Sequence, residues 1–198
     1  MSDVSDAIMD AAERRIRLGG FSGFSFREIA ADVGVKSSSV HYHYPTKEAL
    51  GAAVVRRYTE RLSGKIDAEL EKGADPREVL ASAFRRTAHS ESCMCPVVVM
   101  GAASGDLPPE VLREVQQFYQ MCLDKLTTQS VPQKEAAELL SMITGAMVVA
   151  NALGDKMLYD RATTDLIKTS VGGRAGRSSK AGVDAPKPAA RGPRRAAS

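Results

Sequence analysis

The chain has 198 residues, 43% of them hydrophobic, 26% charged and only 5% aromatic, which suits packed helices and excludes a wholly disordered chain. Its formal net charge of +3 is unevenly placed: residues 172–198 carry seven Lys/Arg against one Asp, leaving residues 1–171 at −3. A broad cationic surface for nucleic acid is therefore not expected, and three cysteines without a CxxC pair argue against a structural zinc site.

The first strong local signals begin at Ser25. Ser25 with Glu28 makes a capping box, and Phe26, Ile29, Ala30 and Val33 fall on one face of a short helix. Gly34 follows where a helix end favours left-handed dihedrals, and Val35 is predicted to plug back between two helices. The run Lys36-Ser37-Ser38-Ser39 offers N-caps for a second short helix. In that helix Val40 and Tyr44 are predicted to face the core, while Ser37, Ser38, His41 and Tyr42 point away from it. Pro45 ends it, because the residue before a proline is pushed out of helical geometry. This is the layout of a helix-turn-helix that places one helix in a DNA major groove.

Thr46 is predicted to cap a long helix to about Lys72, with Leu50, Val54, Tyr58, Leu62, Ile66 and Leu70 at near-regular fours. Asp75-Pro76 starts the next, with Val79, Leu80, Ala83, Phe84, Thr87 and Ala88 on one face. A short apolar stretch from Val97 to Ala103 breaks at Ser104-Gly105-Asp106. A further helix opens at Leu107-Pro108-Pro109-Glu110 and carries Val111, Leu112, Val115, Phe118, Tyr119, Cys122, Leu123 and Leu126 as its apolar stripe. Helices from Pro132 to about Leu153 and from Asp155 to about Ser170 complete the body. The first of these two is ringed by Leu139, Leu140, Met142, Ile143, Met147, Val148, Val149 and Leu153, so it is expected to be buried on all sides, partly by a second subunit. No alternating strand pattern, 18-residue apolar span or signal peptide is read. The expectation is an all-α cytoplasmic protein of about nine helices with no membrane partner.

The organisation follows: residues 1–50 as a three-helix DNA-binding domain, 51–171 as a helical ligand-binding and dimerisation domain, and 172–198 as a disordered basic tail. Residues 1–50 are too few for a robust core, so the fourth helix is expected to pack across both parts. They hold six Lys/Arg and seven Asp/Glu, so any grip on DNA must be local. Lys36, His41 and Tyr42 have the reach for base edges, phosphates or thymine methyls, and Lys47 sits at a helix start where it can join amides around a phosphate.

Residues 6–55 resemble the N-terminal domain of the TetR/AcrR family of transcriptional regulators. The resemblance rests on a leading helix from Ala7-Ile8 to Leu18, the link Gly-Phe-Ser-Gly-Phe-Ser-Phe-Arg-Glu-Ile-Ala, Ala31-Asp32-Val33-Gly34-Val35, His41-Tyr42-His43-Tyr44 and Thr46-Lys47-Glu48-Ala49-Leu50. It implies that Ser25, Arg27, Lys36, Ser37, Ser38, His41, Tyr42, His43 and Lys47 form the operator-facing set. His41 stands where the family usually carries an aromatic ring, and 37–39 are all serine. The resemblance further implies a homodimer through the helices near 133–153 and 155–170, a double-stranded DNA operator, and a small-molecule inducer. The segments Ser92-Cys93-Met94-Cys95-Pro96 and Leu107 to Val111 resemble one subgroup of the family's ligand domains, which assigns no inducer.

A ligand pocket between the body helices is sought among Phe84, His89, Cys93, Met100, Tyr119, Cys122, Met147 and Asn151, each of which is also an ordinary core or surface residue. Cys93 and Cys95 raise a second possibility, a thiol- or electrophile-sensing regulator; His89 and Cys93 have metal-competent spacing, but no metal site is expected. No phosphate loop, nucleophile elbow or catalytic histidine constellation is present, so neither an enzyme nor a cofactor is expected. A family member that binds protein rather than DNA is the remaining alternative.

Overall fold

The computed structural model describes residues 2–91 and 94–172; the expected disordered tail beyond Gly172, and Cys93, lie outside the described residues. Among these the chain forms nine α-helices: α1 Ser2–Gly19, α2 Phe26–Val33, α3 Ser37–His43, α4 Lys47–Leu70, α5 Pro76–Ala88, α6 Pro96–Ala102, α7 Pro109–Thr127, α8 Gln133–Leu153 and α9 Lys156–Gly172. Short 3-10 turns at Phe21–Gly23 and Ser104–Asp106 join α1 to α2 and α6 to α7.

The local chemistry explains the boundaries. Thr46 Oγ1 accepts the Ala49 amide at 3.0 Å and starts α4. The Asp75 carboxylate accepts the Arg77 and Glu78 amides, with Pro76 at the first turn of α5. Gly34 closes α2 at φ 77°, a left-handed position that a side chain would strain, and its amide bonds back to the Ala30 carbonyl.

α4 is the axis of the molecule. Its stripe of Leu50, Val54, Tyr58, Leu62 and Ile66 is buried, and the helix packs against α1, α5 and α7. Gly51 lets this packing close: a Cβ there would stand 2.9 Å from the Phe21 ring and 3.4 Å from Val111, so the Phe21–Gly23 turn and α7 press on one point of α4. Below it, Tyr58, Phe84 and Phe118 form an aromatic cluster with centroids about 6 Å apart. Tyr159 of α9, fully buried, donates its hydroxyl to the Ala81 carbonyl of α5 at 2.9 Å.

Charges stitch the elements where apolar contact ends. Arg15 of α1 holds Asp32 at 2.6 Å and Glu28 at 3.0 Å on α2. Glu13 of α1 is 8% exposed and is shared by three arginines: Arg17 at 2.7 Å, and Arg61 at 2.6 Å and Arg57 at 3.4 Å on α4. Arg17 also donates to the Met94 carbonyl just before α6 and lies 5.3 Å from the Tyr58 ring.

α8 departs from expectation in two ways. Its apolar ring is only half covered: Leu139, Leu140, Ile143, Ala146, Met147 and Ala150 are buried, but Met142, Val148, Val149 and Leu153 are exposed. Its length and mean hydropathy of 1.6 also satisfy the composition of a membrane span, which corrects the expectation of no such stretch; 39% of the window is buried inside the fold. The physical source of both is the same, a helix with one face in the core and an equally apolar face outside it.

Two outcomes are expected. Replacing Glu13 with Ala leaves three arginines clustered around a vacated, largely buried carboxylate position and should cost about 3 kcal/mol of unfolding free energy, read as a lower urea midpoint. The Arg15 hydrogen bond holds the Asp32 carboxyl below its ordinary range, and the Ser25 hydrogen bond followed by the Arg15 charge does the same for Glu28. Both folded-state values are depressed, so the stabilisation is present above the unfolded carboxylate range and is lost as pH falls through the folded values. Thermal unfolding from pH 6 down to about pH 3 should therefore show a steeper loss in the wild type than in Arg15→Ala.

Candidate nucleic-acid interface

α3 is held in place by a few contacts. Val40 is fully buried under α3, Val35 packs half-buried in the turn, and Tyr44 joins Ser5 of α1 through their hydroxyls at 3.1 Å. On the outer side Ser37, Ser38, His41 and Tyr42 are exposed, Tyr42 by 75%. The expected division of α3 into a core side and a solvent side is what the burial pattern gives.

The serines do not cap α3 as expected. Lys36 occupies the N-cap position with extended backbone and no side-chain cap, and its carbonyl accepts the Ser39 amide at 2.9 Å. The hydroxyls of Ser37 and Ser38 therefore stay on the surface instead of being spent on the helix end. His41 is not a loose ring: it meets Phe26 edge-on at 4.6 Å between centroids, so α2 fixes its direction. His43 is half-buried against Tyr42 at 5.3 Å.

The flanking charges divide likewise. Arg27 and Lys36 are exposed. Lys47 is half-buried, its ammonium 4.8 Å from the ring centroids of both Phe21 and Phe24, which places a fixed cation in the first turn of α4. Ser25 is half-buried, with its hydroxyl accepting the Glu28 amide at 3.3 Å and donating to the Glu28 carboxylate at 2.8 Å. What this surface offers is a row of short donors and acceptors, two rings of set direction and three cations on adjoining elements.

The body residues sought as a pocket are split between core and surface. Phe84, Met100, Cys122 and Met147 are fully packed, Tyr119 is half-buried, and His89 and Asn151 are exposed. His89 is tied to Asp160 of α9 at 3.1 Å beside Arg85, a long-range pairing that no local pattern announces. Cys95 is fully buried against Tyr58 and Met147, and burial pushes its thiol and that of Cys122 up, away from the reactive thiolate. Among the described residues no group of three or more His, Cys, Asp or Glu is placed to hold a metal ion.

Comparison with known proteins meets the geometry at both scales. Residues 8–54 match the model of the tetR family of bacterial regulatory proteins, a span that takes in α1 to α3 and the start of α4. The HTH-type transcriptional regulator LmrA of Bacillus subtilis (strain 168) is 27% identical over 162 residues, covering 76% of this chain and 85% of its own. The structure of a TetR-family transcriptional regulator from Agrobacterium tumefaciens superimposes with a TM-score of 0.76 at 26% identity, covering 85% of this chain and 97% of that one. A TetR transcriptional regulator from Legionella pneumophila shares the fold with a TM-score of 0.74 at 24% identity, over 82% and 95% of the two chains. Residues 8–54 fall within the family model and the helical body matches TetR-family regulators in shape, so the chain carries the helix-turn-helix domain of the TetR/AcrR family of transcriptional regulators, which are DNA-binding proteins and not enzymes.

Proposed function

We propose that the chain is a homodimeric, ligand-responsive repressor that reads a near-palindromic operator and leaves it when a small molecule binds the body. The observation that carries the reading role is α3: a fully buried Val40 anchors a helix whose outer side is Ser37, Ser38, His41 and Tyr42. In this reading α3 lies in the major groove, with Tyr42 and His41 on base edges and thymine methyls and the serines close to the backbone. Arg27, Lys36 and Lys47 take phosphates, Ser25 and His43 flank them, and residues 1–50 act as the reading head on the body 51–171.

The dimer is supported by the outer face of α8. Met142, Val148, Val149 and Leu153, joined by Met157 of α9, are between 39% and 67% exposed, more apolar surface than a single helix normally leaves in water. Gly145 lies among them with open space above its Cα, which allows close approach of a second α8. Two copies facing through α8 and α9 would set two α3 helices about one or more helical turns of DNA apart. A ligand acting on α4 or on the chain just before α6 reaches the head directly, because α1 is bound to both through Glu13 and Arg17.

With a fragment selected from the source genome, gel-shift titration should show His41→Ala and Tyr42→Ala each weakening binding by about tenfold or more, the cost of one lost base contact. Lys36→Ala should weaken binding to all sequences and lower the salt slope by about one; unchanged binding in all three variants would remove α3 as the reader. Val149→Glu combined with Leu153→Lys should yield a monomer in analytical ultracentrifugation and lose operator affinity together. A variant that stays dimeric would place the interface elsewhere.

A further inference from the structure

A cleft of about 290 Å³ lies where α1, α4 and α5 meet, on the flank of the body that faces the reading head. Four cations line it: Arg17 from α1, Arg61 and Lys65 from α4, and Arg86 from α5. Its apolar floor includes Tyr58 and Leu62. No carboxylate is among its lining residues, although the body as a whole is acidic. Only Arg17 and Arg61 are neutralised, and both by the same group, Glu13, which also serves Arg57. Among the described residues Lys65 makes no ion pair within 4 Å, and Arg86 reaches a carboxylate, Glu69, only as a more distant charge. Like charges gathered around one concavity repel each other and raise the local concentration of anions. The arrangement is therefore a site with more positive charge than its protein partners can balance.

We propose that this cleft is the effector site for a small organic anion, its acid group bound by Lys65, Arg86, Arg61 and Arg17 and its hydrocarbon part resting on Tyr58 and Leu62. The inference rests on the ligand-responsive reading above and names the ligand class and the place. Its consequence for the head follows from geometry. Arg17 and Arg61 are the two arms by which Glu13 joins α1 to α4, and Arg17 also ties α1 to the chain before α6 through the Met94 carbonyl. An anion in the cleft competes with Glu13 for both guanidiniums. Each bond it draws into the cleft loosens α1 from α4, so the ligand binds more tightly to the state in which the head is free to shift, and only such differential binding can move the equilibrium.

The test uses the full chain at low ionic strength with three probes, inorganic phosphate, pyrophosphate and 2-naphthoate, and 2-naphthamide as the uncharged control. Isothermal titration calorimetry should show saturable binding of at least one anion below millimolar concentration and none of the amide. Lys65→Ala with Arg86→Ala should weaken that anion at least tenfold while leaving the melting temperature within a degree or two of wild type, since neither side chain has an ion pair within 4 Å among the described residues and both are exposed. Hydrogen exchange of the α1 amides should quicken at saturation in the wild type and remain unchanged in the double variant. Failure of all three anions to bind, equal binding of naphthoate and naphthamide, or undiminished binding in the double variant would each overturn the site. Anion binding with unaltered α1 exchange would overturn the coupling. These readouts need no DNA, so a chain that binds anions here but retains no genomic fragment would refute the repressor reading and leave this site standing.

Discussion

The head is too small to close its own core, and α4 supplies the missing wall. Leu50, Val54 and Val55 are fully buried at the start of that helix, where the first three helices need a floor, and Tyr58, Leu62 and Ile66 continue the same stripe into the body. A single rigid helix therefore belongs to two cores, and neither core is complete without it. Gly51 marks how close this junction is, since no side chain larger than hydrogen fits between the Phe21 ring and Val111 without displacement. A head packed in this way cannot tilt without moving α4, and α4 cannot slide without repacking Phe21. Close-packed junctions have discrete arrangements, which is the property a regulator needs in order to switch.

Much of this was legible in the sequence wherever the signal was local. The caps at Ser25, Thr46 and Asp75, the left-handed Gly34, and the fours of α4 follow from residues within one or two turns of each other, and the structure places them as expected. Fine detail at the start of α3 did not follow, because three serines in a row give no means of choosing a cap, and the backbone instead settled on Lys36. What stayed hidden was the pairing of charges across long separations. Nothing near Arg15 names Asp32, nothing near Glu13 names Arg57 and Arg61, and His89 gives no hint of Asp160. Such pairs depend on how helices cross, and a helix presents its charged residues to solvent and to neighbours with the same periodicity.

α8 shows the limit from the opposite side. Its composition pointed to burial on all sides, and the described fold buries one face only, because the sequence could not divide that apolar surface between its own core and something else. The described fold accounts for Leu139, Ile143, Met147 and Ala150, and leaves Val148, Val149 and Leu153 outside. Hydrophobicity is non-directional, so a pattern of apolar residues counts the faces to be covered and does not say what covers them.

The charge distribution joins these points. The head carries a net of −1, so a lone copy would have few phosphate contacts and a weak, strongly geometric hold on DNA. In the proposed dimer the second head is delivered at high effective concentration once the first has bound, and affinity then depends on how well the separation of the two heads matches the half-sites. Affinity that rests on spacing is easily removed by a small movement of α1 and α4, far more easily than affinity spread over a broad cationic surface. Besides the three cations of the reading face, a second group, Arg17, Arg57, Arg61, Lys65 and Arg86, gathers around Glu13 and the cleft beside it, where the proposed movement would be controlled. If the cleft takes an anion as proposed, reciprocity requires the operator to weaken that anion as much as the anion weakens the operator, and a near-neutral reader and a cationic hinge would then be two halves of one thermodynamic device.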